Sequence, residues 1–156
     1  MSEAALPPVL IVALGASNTA GYGVGLDMAY PAVVERLLRS RSINASIANA
    51  GVPGDTTAQM LERLDRDVPA GTCLVMFQPG SNDARLGTSD AVRERNIAAI
   101  QNALCARGIE VVRVARAFEL ARPGNLQPDG IHYTTRGHEQ IAYHLIEDVI
   151  RALGRQ

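Results

Sequence analysis

Short apolar runs alternate along this chain with stretches whose apolar residues recur at helical spacing. The runs predict a first buried strand that begins at Val9 and further strands over 43–48, 72–77 and 110–114. Helical spacing predicts helices over 30–41, from Asp55 or Thr56 to Pro69, from Ser89 or Asp90 to Gly108, and from Thr134 or Thr135 to Leu153. Strands that alternate with helices through short loops are typical of an α/β fold whose parallel sheet is covered on both faces. Residues 118–127 hold either a short fifth strand or only a loop, so we expect four or five strands.

The first predicted strand runs into a glycine-punctuated turn that carries Ser17. In open α/β sheets ligands bind beyond the carboxyl ends of the strands, so this serine lies where a functional site forms. From the turn alone, two other interpretations stay open: a phosphate-binding nest, and a serine that only caps a helix. The nest fits poorly, because Gly21, Gly23 and Gly25 do not form the dinucleotide-binding pattern and the chain contains no lysine for a Walker-type loop.

Polar clusters also follow the second and third predicted strands, and another precedes the last helix. They are Asn49-Ala50-Gly51, Gly80-Ser81-Asn82 and Asp129-Gly130-Ile131-His132. Because the carboxyl ends of parallel strands meet at one edge of a sheet, we expect all of these clusters to lie there with Ser17.

These clusters contain the parts of an acyl-transfer site. His132 is the candidate base for the hydroxyl proton of Ser17, and Asp129, three residues earlier, can orient the imidazole. The oxyanion of such a reaction needs hydrogen-bond donors. The backbone N–H groups of Ser17 and Gly51 and the side-chain amide of Asn82 are the candidates. The sequence therefore predicts a nucleophile, a base, an orienting carboxylate and an oxyanion hole.

The same residues resemble the SGNH, or GDSL-type, serine hydrolase family, in its small bacterial esterase, thioesterase and lysophospholipase branch. Ser17, Gly51, Asn82 and His132 match the four residues that name the family, in order. The matching signatures are Gly15-x-Ser17-x-Thr19-x-Gly21, Asn49-x-Gly51, Gly80-x-Asn82-Asp83 and Asp129-x-x-His132. The resemblance runs from Val9 to about Leu153. It implies a flavodoxin-like three-layer α/β/α fold and an ester hydrolase activity.

One position departs from the family pattern. The family usually has aspartate directly before the nucleophile, and here the residue is Ala16, so we expect retained chemistry with different supporting hydrogen bonds. The resemblance also places residues 82–87 beside the acyl-binding side, which makes Arg85 and Leu86 candidate substrate-binding residues. A solvated surface side chain is the more common role of an arginine such as Arg85. We interpret His138 and His144, inside the last helix, as structural or exposed.

Composition limits the other functions. The hydrophobic fraction of 47%, the charged fraction of 20% and the net charge of −1 fit a single soluble domain over 1–156. We expect no nucleic-acid partner and no stable membrane insertion, because there is no basic run and the first apolar run is too short to cross a bilayer. The histidines and cysteines form no recognised ligand set, so we expect no metal and no cofactor. With no leader visible, the chain as written is expected in the cytoplasm, or in the periplasm or outside the cell if a leader was removed.

The sequence thus predicts a serine ester hydrolase that acts on short-chain acyl or aryl esters through an acyl-enzyme on Ser17. Thioesters and lysophospholipids are further candidate substrates. A carbohydrate O-acetyl esterase is the alternative within this chemistry, and a non-catalytic ligand-binding module on the same fold is the alternative of another class. Short loops without a lid predict a shallow, open site, and the apolar positions from Val24 to Met28 are candidate contacts for a homo-oligomer.

Overall fold

The computed structural model describes residues 4–154, which form a four-stranded parallel sheet and helices packed on both of its faces. The strands are β1 (Val9–Gly15), β2 (Ala45–Gly51), β3 (Thr72–Phe77) and β4 (Glu110–Arg113). The helices are α1 (Ser17–Ala20), α2 (Tyr30–Ser40), α3 (Thr57–Glu62), α4 (Leu64–Asp67), α5 (Asn82–Arg85), α6 (Asp90–Ala106), α7 (Ala115–Ala121) and α8 (Thr135–Leu153). The order in the sheet is β2-β1-β3-β4. The predicted α/β fold with a parallel sheet is confirmed.

Alternation along β1 divides the core into two layers. Ile11 and Ala13 face the layer formed with α2, α7 and α8, whereas Val12 and Leu14 face the layer formed with α3, α4 and α6. Successive side chains of a strand point to opposite faces, which explains why a central strand must be apolar at every position. None of the helices within residues 4–154 is long and apolar enough to cross a membrane.

Of the four or five strands that the sequence allows, the described residues form four. Residues 115–121 instead form α7, which buries Ala117 and Ala121 one helical turn apart against the sheet. The chain then makes one isolated antiparallel bridge between Leu126 and Tyr133 before it enters α8. Of the two alternatives predicted for 118–127, a loop is found over 122–127, whereas residues 118–121 belong to α7, which neither alternative included. A helical pattern of only two turns is too short to distinguish a helix from a strand.

His138 on α8 is fully buried, as a structural histidine. Its Nδ1 accepts a hydrogen bond from the backbone N–H of Tyr30 at 3.0 Å, while Nε2 has no hydrogen-bond partner in the described chain. Burial lowers the pKa of this imidazole to about 4, because desolvation disfavours the charged form. His138 is therefore neutral in the folded protein at neutral pH.

This burial predicts a loss of stability in mild acid. The unfolded chain, with a histidine pKa of 6.5, takes up the proton at higher pH than the folded chain does. The free energy of unfolding should therefore fall as the pH drops from about 6.5 towards 4, by up to about 3 kcal/mol. Urea unfolding at about pH 7.5 and about pH 4.5 measures this loss. We expect a smaller loss in His138→Gln, and an equal loss in both proteins would contradict the assignment.

Candidate active site

Ser17 lies at the point where β1 gives way to α1. It is the first residue of this short helix, and Ala16 rather than Ser17 occupies the capping position, without a side-chain cap. The interpretation of Ser17 as a helix cap therefore does not hold. As a first helical residue, Ser17 also has a backbone N–H without a partner inside the helix.

The structure brings Ser17 together with the two polar residues that precede α8. His132 Nε2 is 3.0 Å from Ser17 Oγ, and His132 Nδ1 is 2.6 Å from Asp129 Oδ2. The backbone N–H groups of Ile131 and His132 donate to Asp129 Oδ1 at 2.9 and 3.0 Å. This arrangement can move a proton from Ser17 to His132 while the carboxylate holds the ring.

Asp129 is the acidic member of this group. The hydrogen bond with the His132 side chain, followed by those from the His132 and Ile131 backbone, lowers the pKa of Asp129 to about 2. The carboxylate is thus ionised over the whole neutral range. An ionised carboxylate favours the His132 tautomer that carries its proton on Nδ1 and leaves Nε2 free to accept one.

Tyr22, which is 53% exposed, lies against the imidazole of His132. Its ring centroid is 4.2 Å from that of His132, with an interplanar angle of 32°. Gln127 Nε2 anchors this segment by donating to the Tyr22 carbonyl at 2.8 Å. Nothing in the sequence pattern singled out Tyr22, because the segment after Ser17 has no regular spacing.

Asn82 contributes its side-chain amide to the same site. Nδ2 donates to the Asp55 carbonyl at 2.8 Å, and Oδ1 accepts from Arg85 at 2.9 Å. These two contacts fix the plane of the amide and leave its second N–H for a ligand. Arg85 therefore holds a site residue in place, and it also lines a cavity next to Ser17. Leu86 does not line this cavity and is 62% exposed.

Gly51 does not serve the site as predicted. Its N–H donates to Asn49 Oδ1 at 2.9 Å, and a Cβ built on Gly51 would lie 2.3 Å from the backbone nitrogen of Ala20. The residue is a glycine because α1 packs directly on β2 at this point. Gly54 lines the cavity instead, with φ +86°. Its N–H makes no hydrogen bond within residues 4–154, so Gly54 replaces Gly51 as the candidate donor.

Gln78 supplies buried hydrogen bonds around Ala16, the residue that stands where the family usually has aspartate. Its Oε1 accepts from the Ala16 N–H at 3.0 Å and from Thr19 Oγ1 at 2.8 Å. Both contacts are buried, and they join the end of β3 to the turn that carries Ser17. The expectation of different supporting hydrogen bonds around Ala16 fits this contact.

The buried guanidinium of Arg63 links the strand ends near the site. Arg63, 7% exposed, donates to Asp55 Oδ2 at 2.6 Å and to Asp67 Oδ2 at 2.7 Å. It also donates to the carbonyls of Gly15 at 3.0 Å and Ala50 at 2.8 Å. Arg63 thus ties the ends of β1 and β2 to the residue whose carbonyl holds Asn82.

Removal of this guanidinium should cost stability. Arg63→Met leaves the buried Asp55 carboxylate unpaired and removes donors from two strand-end carbonyls, so we expect the free energy of unfolding to fall by about 3–5 kcal/mol. Chemical denaturation followed by circular dichroism measures the change. Arg66→Met is the matched control, because Arg66 pairs with the same Asp67 but its side chain is 74% exposed. Equal losses in the two variants would contradict the role given to Arg63.

The cavity at Ser17 has a volume of about 330 Å³. Ser17, His132, Asn82, Gly54 and Tyr22 all line it. Pockets for small molecules span about 300–1,000 Å³, so this one is at the small end. No cluster of three or more His, Cys, Asp or Glu side chains in the described part of the chain is arranged to hold a metal ion.

Known proteins resemble this chain in sequence. Residues 13–123 match the GDSL-like Lipase/Acylhydrolase family, a range that ends before Asp129 and His132. Esterase TesA of Pseudomonas aeruginosa is 27% identical over 144 residues, covering 90% of this chain and 67% of that protein. An arylesterase of Vibrio mimicus is 26% identical over 113 residues, covering 72% of this chain but only 56% of that protein.

A solved structure extends the match over nearly the whole chain. AlinE4, an SGNH-hydrolase family esterase, is 30% identical with a TM-score of 0.69, covering 96% of this chain and 99% of that one. The resemblance to SGNH hydrolases is thereby confirmed in both sequence and fold. This chain belongs to the GDSL-like lipase/acylhydrolase family of SGNH hydrolases.

Proposed function

We propose that this chain hydrolyses short-chain acyl or aryl esters and that Ser17 carries the acyl group between the two half-reactions. Membership of the acylhydrolase family gives the reaction class, hydrolysis of a carboxylic ester. The observation that carries the rest is the continuous contact from Ser17 Oγ through His132 to Asp129 at the wall of an accessible cavity.

In the first half-reaction Ser17 Oγ attacks the ester carbonyl and its proton passes to His132 Nε2. The tetrahedral intermediate collapses as the bond between the carbonyl carbon and the alcohol oxygen breaks, and the departing alcohol takes the proton from His132. In the second half-reaction water repeats the sequence. It attacks the acyl carbon, gives its proton to His132 and releases the acid, and Ser17 recovers its proton.

The oxyanion of both intermediates is proposed to lie among three donors. They are the backbone N–H groups of Ser17 and Gly54 and the second N–H of the Asn82 amide. Loss of one such donor typically costs about 2.7–4 kcal/mol of barrier stabilisation. Arg85 and the Asp55 carbonyl hold the Asn82 amide before substrate arrives, so little reorganisation is needed during the reaction.

Cavity size favours short acyl chains. A series of 4-nitrophenyl esters from acetate to palmitate, with the Ser17→Ala protein as the blank, measures kcat/KM as a function of chain length. We expect a maximum at acetate or butyrate and a decline of about tenfold or more by the decanoate, because longer apolar chains extend beyond the 330 Å³ cavity towards a neighbouring space lined by arginines. A maximum at long chains would overturn the substrate class and favour lysophospholipids.

The site geometry favours neither of the two alternatives, a non-catalytic ligand-binding module and a carbohydrate O-acetyl esterase. A non-catalytic module has no need for an imidazole held between a serine and an ionised carboxylate, which is the arrangement found here. A carbohydrate O-acetyl esterase uses the same chemistry on an acetylated sugar. Release of acetate from acetylated xylan without turnover of the aryl esters would support that alternative instead.

Assembly and location stay predictions from the sequence. Leu26 and Met28 are 62% and 47% exposed, so their side chains are available to a second copy of the chain. We propose a homo-oligomer through this segment, and a location either in the cytoplasm or, if a leader is removed, in the periplasm or outside the cell.

A further inference from the structure

A second cavity adjoins the one at Ser17. Its volume is about 490 Å³, and it lies beyond the ends of β3 and β4, against α7. The residues that line both cavities are Asn18, Gln78, Gly80, Ser81 and Ile131. The two cavities are therefore neighbours, and the second one, which we call the arginine cavity, lies next to the site at which a substrate would bind Ser17.

Charge distinguishes the arginine cavity from an acyl pocket. Three arginines of the described chain, Arg93, Arg113 and Arg122, line it together with a single acid, Glu119. Arg93 is engaged, since it donates to the Gly80 carbonyl at 2.8 Å and pairs with Glu94 outside the cavity lining. The single carboxylate of Glu119 cannot neutralise the two positive charges of Arg113 and Arg122.

Arg113 and Arg122 form no ion pair with any residue between 4 and 154. Arg113 packs its guanidinium over the Phe77 ring, 5.4 Å from the centroid. Desolvation lowers the pKa of Arg113 and the charge of Arg93 lowers it further, against an opposing effect of Glu94. A guanidinium in this position gains from an anion that the protein itself does not supply.

The remaining walls are less polar. Phe118 and Tyr133 present aromatic rings, and Pro79 and Ala115 complete an apolar side. Such walls suit a short hydrocarbon linker between the scissile ester and a charged end. The tyrosine hydroxyl is occupied, because it donates to the Phe118 carbonyl at 2.7 Å.

We propose that the arginine cavity binds an anionic group of the ester substrate, a carboxylate or a phosphate, through Arg113 and Arg122. The substrate class is then a short ester with a negative charge a few atoms from the scissile bond, in either the acyl part or the alcohol part. This inference rests on the proposed function, because the arginine cavity is assigned to the substrate through the lining residues that it shares with the cavity at Ser17. The neutral aryl esters lack this charged group, so they would occupy the cavity at Ser17 and leave the arginine cavity empty.

Two matched pairs of substrates test the proposal and locate the charge. Mono-4-nitrophenyl glutarate against 4-nitrophenyl valerate tests the acyl part, and 1-butyrylglycerol 3-phosphate against 1-butyrylglycerol tests the alcohol part. We expect kcat/KM to favour the anionic member about tenfold in one pair, a preference that weakens as salt is added. A preference for the neutral member, or none, in both pairs would overturn the proposal.

Variants connect the preference to the cavity. In the double variant Arg113→Gln/Arg122→Gln the anionic preference should disappear, while kcat/KM for the neutral ester stays within about twofold. Arg151→Gln is the matched control, since Arg151 is an exposed arginine on α8 that pairs with Asp148. If the double variant keeps the preference for the anionic ester, the assignment to these arginines is refuted. The assignment is also refuted if kcat/KM falls equally for the neutral and the anionic ester.

A measurement without turnover separates this proposal from the proposed function. Calorimetry of glutarate and of glycerol 3-phosphate should show that one of them binds the Ser17→Ala protein and no longer binds when Arg113→Gln/Arg122→Gln is added. Binding of this kind without ester hydrolysis by the wild type would uphold the anion site and reject the esterase. Absence of binding by both anions would reject the anion site and leave the esterase standing.

Discussion

Replacement of Ser17 by alanine is expected to reduce kcat for ester hydrolysis by about 10⁶-fold. The proposed acyl-enzyme forms on Ser17 Oγ, the atom 3.0 Å from His132 Nε2, and alanine has no atom that can form this bond. What remains should be the small acceleration from oxyanion donors and binding alone. Steady-state rates with 4-nitrophenyl acetate, corrected for the reaction in buffer, measure the loss.

Ser40→Ala serves as the control for this experiment. Its hydroxyl donates to the Leu37 carbonyl on the exposed end of α2, away from the cavity, so activity should not change. A Ser17→Ala protein that keeps its fold and more than about 1% of the wild-type kcat would contradict the role of Ser17.

Asp129→Asn is expected to lower kcat by about 10⁴-fold while the fold is retained. The backbone N–H groups of Ile131 and His132 both point at Asp129 Oδ1, so they will hold the oxygen of the new amide in that place. The amide nitrogen then faces His132 Nδ1, 2.6 Å from the present Oδ2 position, and donates to it. The imidazole proton moves to Nε2, and the ring can no longer accept the proton of Ser17.

The rate, the unfolding temperature and the imidazole nitrogen chemical shifts together test this tautomer argument. Asp148→Asn is the control, because Asp148 pairs with Arg151 on the exposed side of α8 and should leave kcat unchanged. An Asp129→Asn protein with near wild-type kcat would show that the carboxylate is dispensable.

Hydrophobic periodicity predicted most of the fold. The buried strand β3 was predicted from 72 to 77 and found there, because its apolar run is bounded by glycine and proline on both sides. Helix starts were predictable from caps, as Ser89 and Thr134 show by accepting from backbone N–H groups of the first turn. The short helix α7 was missed, since two turns of apolar spacing do not distinguish a helix from a strand.

The site was predictable where it depends on order along the chain. From the sequence we predicted that four residues lie at one edge of the sheet: Ser17, Asn82, Asp129 and His132. In the structure three of them line one cavity, and the fourth, Asp129, contacts His132. The choice of Gly51 was wrong, because a strand-end motif does not reveal which N–H already has a partner.

Residues that act through tertiary contact were not predictable. Arg63 lies in the middle of an ordinary charged stretch, and only folding brings its guanidinium to the ends of two strands. Gln78 and Tyr22 were not predictable for the same reason, because each contacts a site residue more than fifty positions away along the chain. The arginine cavity likewise joins residues from α6, β4 and the end of α7 that no local pattern connects.

Covalent labelling tests the central claim most directly. A fluorophosphonate reacts with a serine hydroxyl only where a base activates it and donors stabilise the oxyanion. Intact-protein mass spectrometry should show one phosphonyl adduct on the wild type, peptide mapping should place it on Ser17, and Ser17→Ala should stay unlabelled. An unlabelled wild type, or an adduct on another residue, would contradict the assignment of Ser17 as the nucleophile.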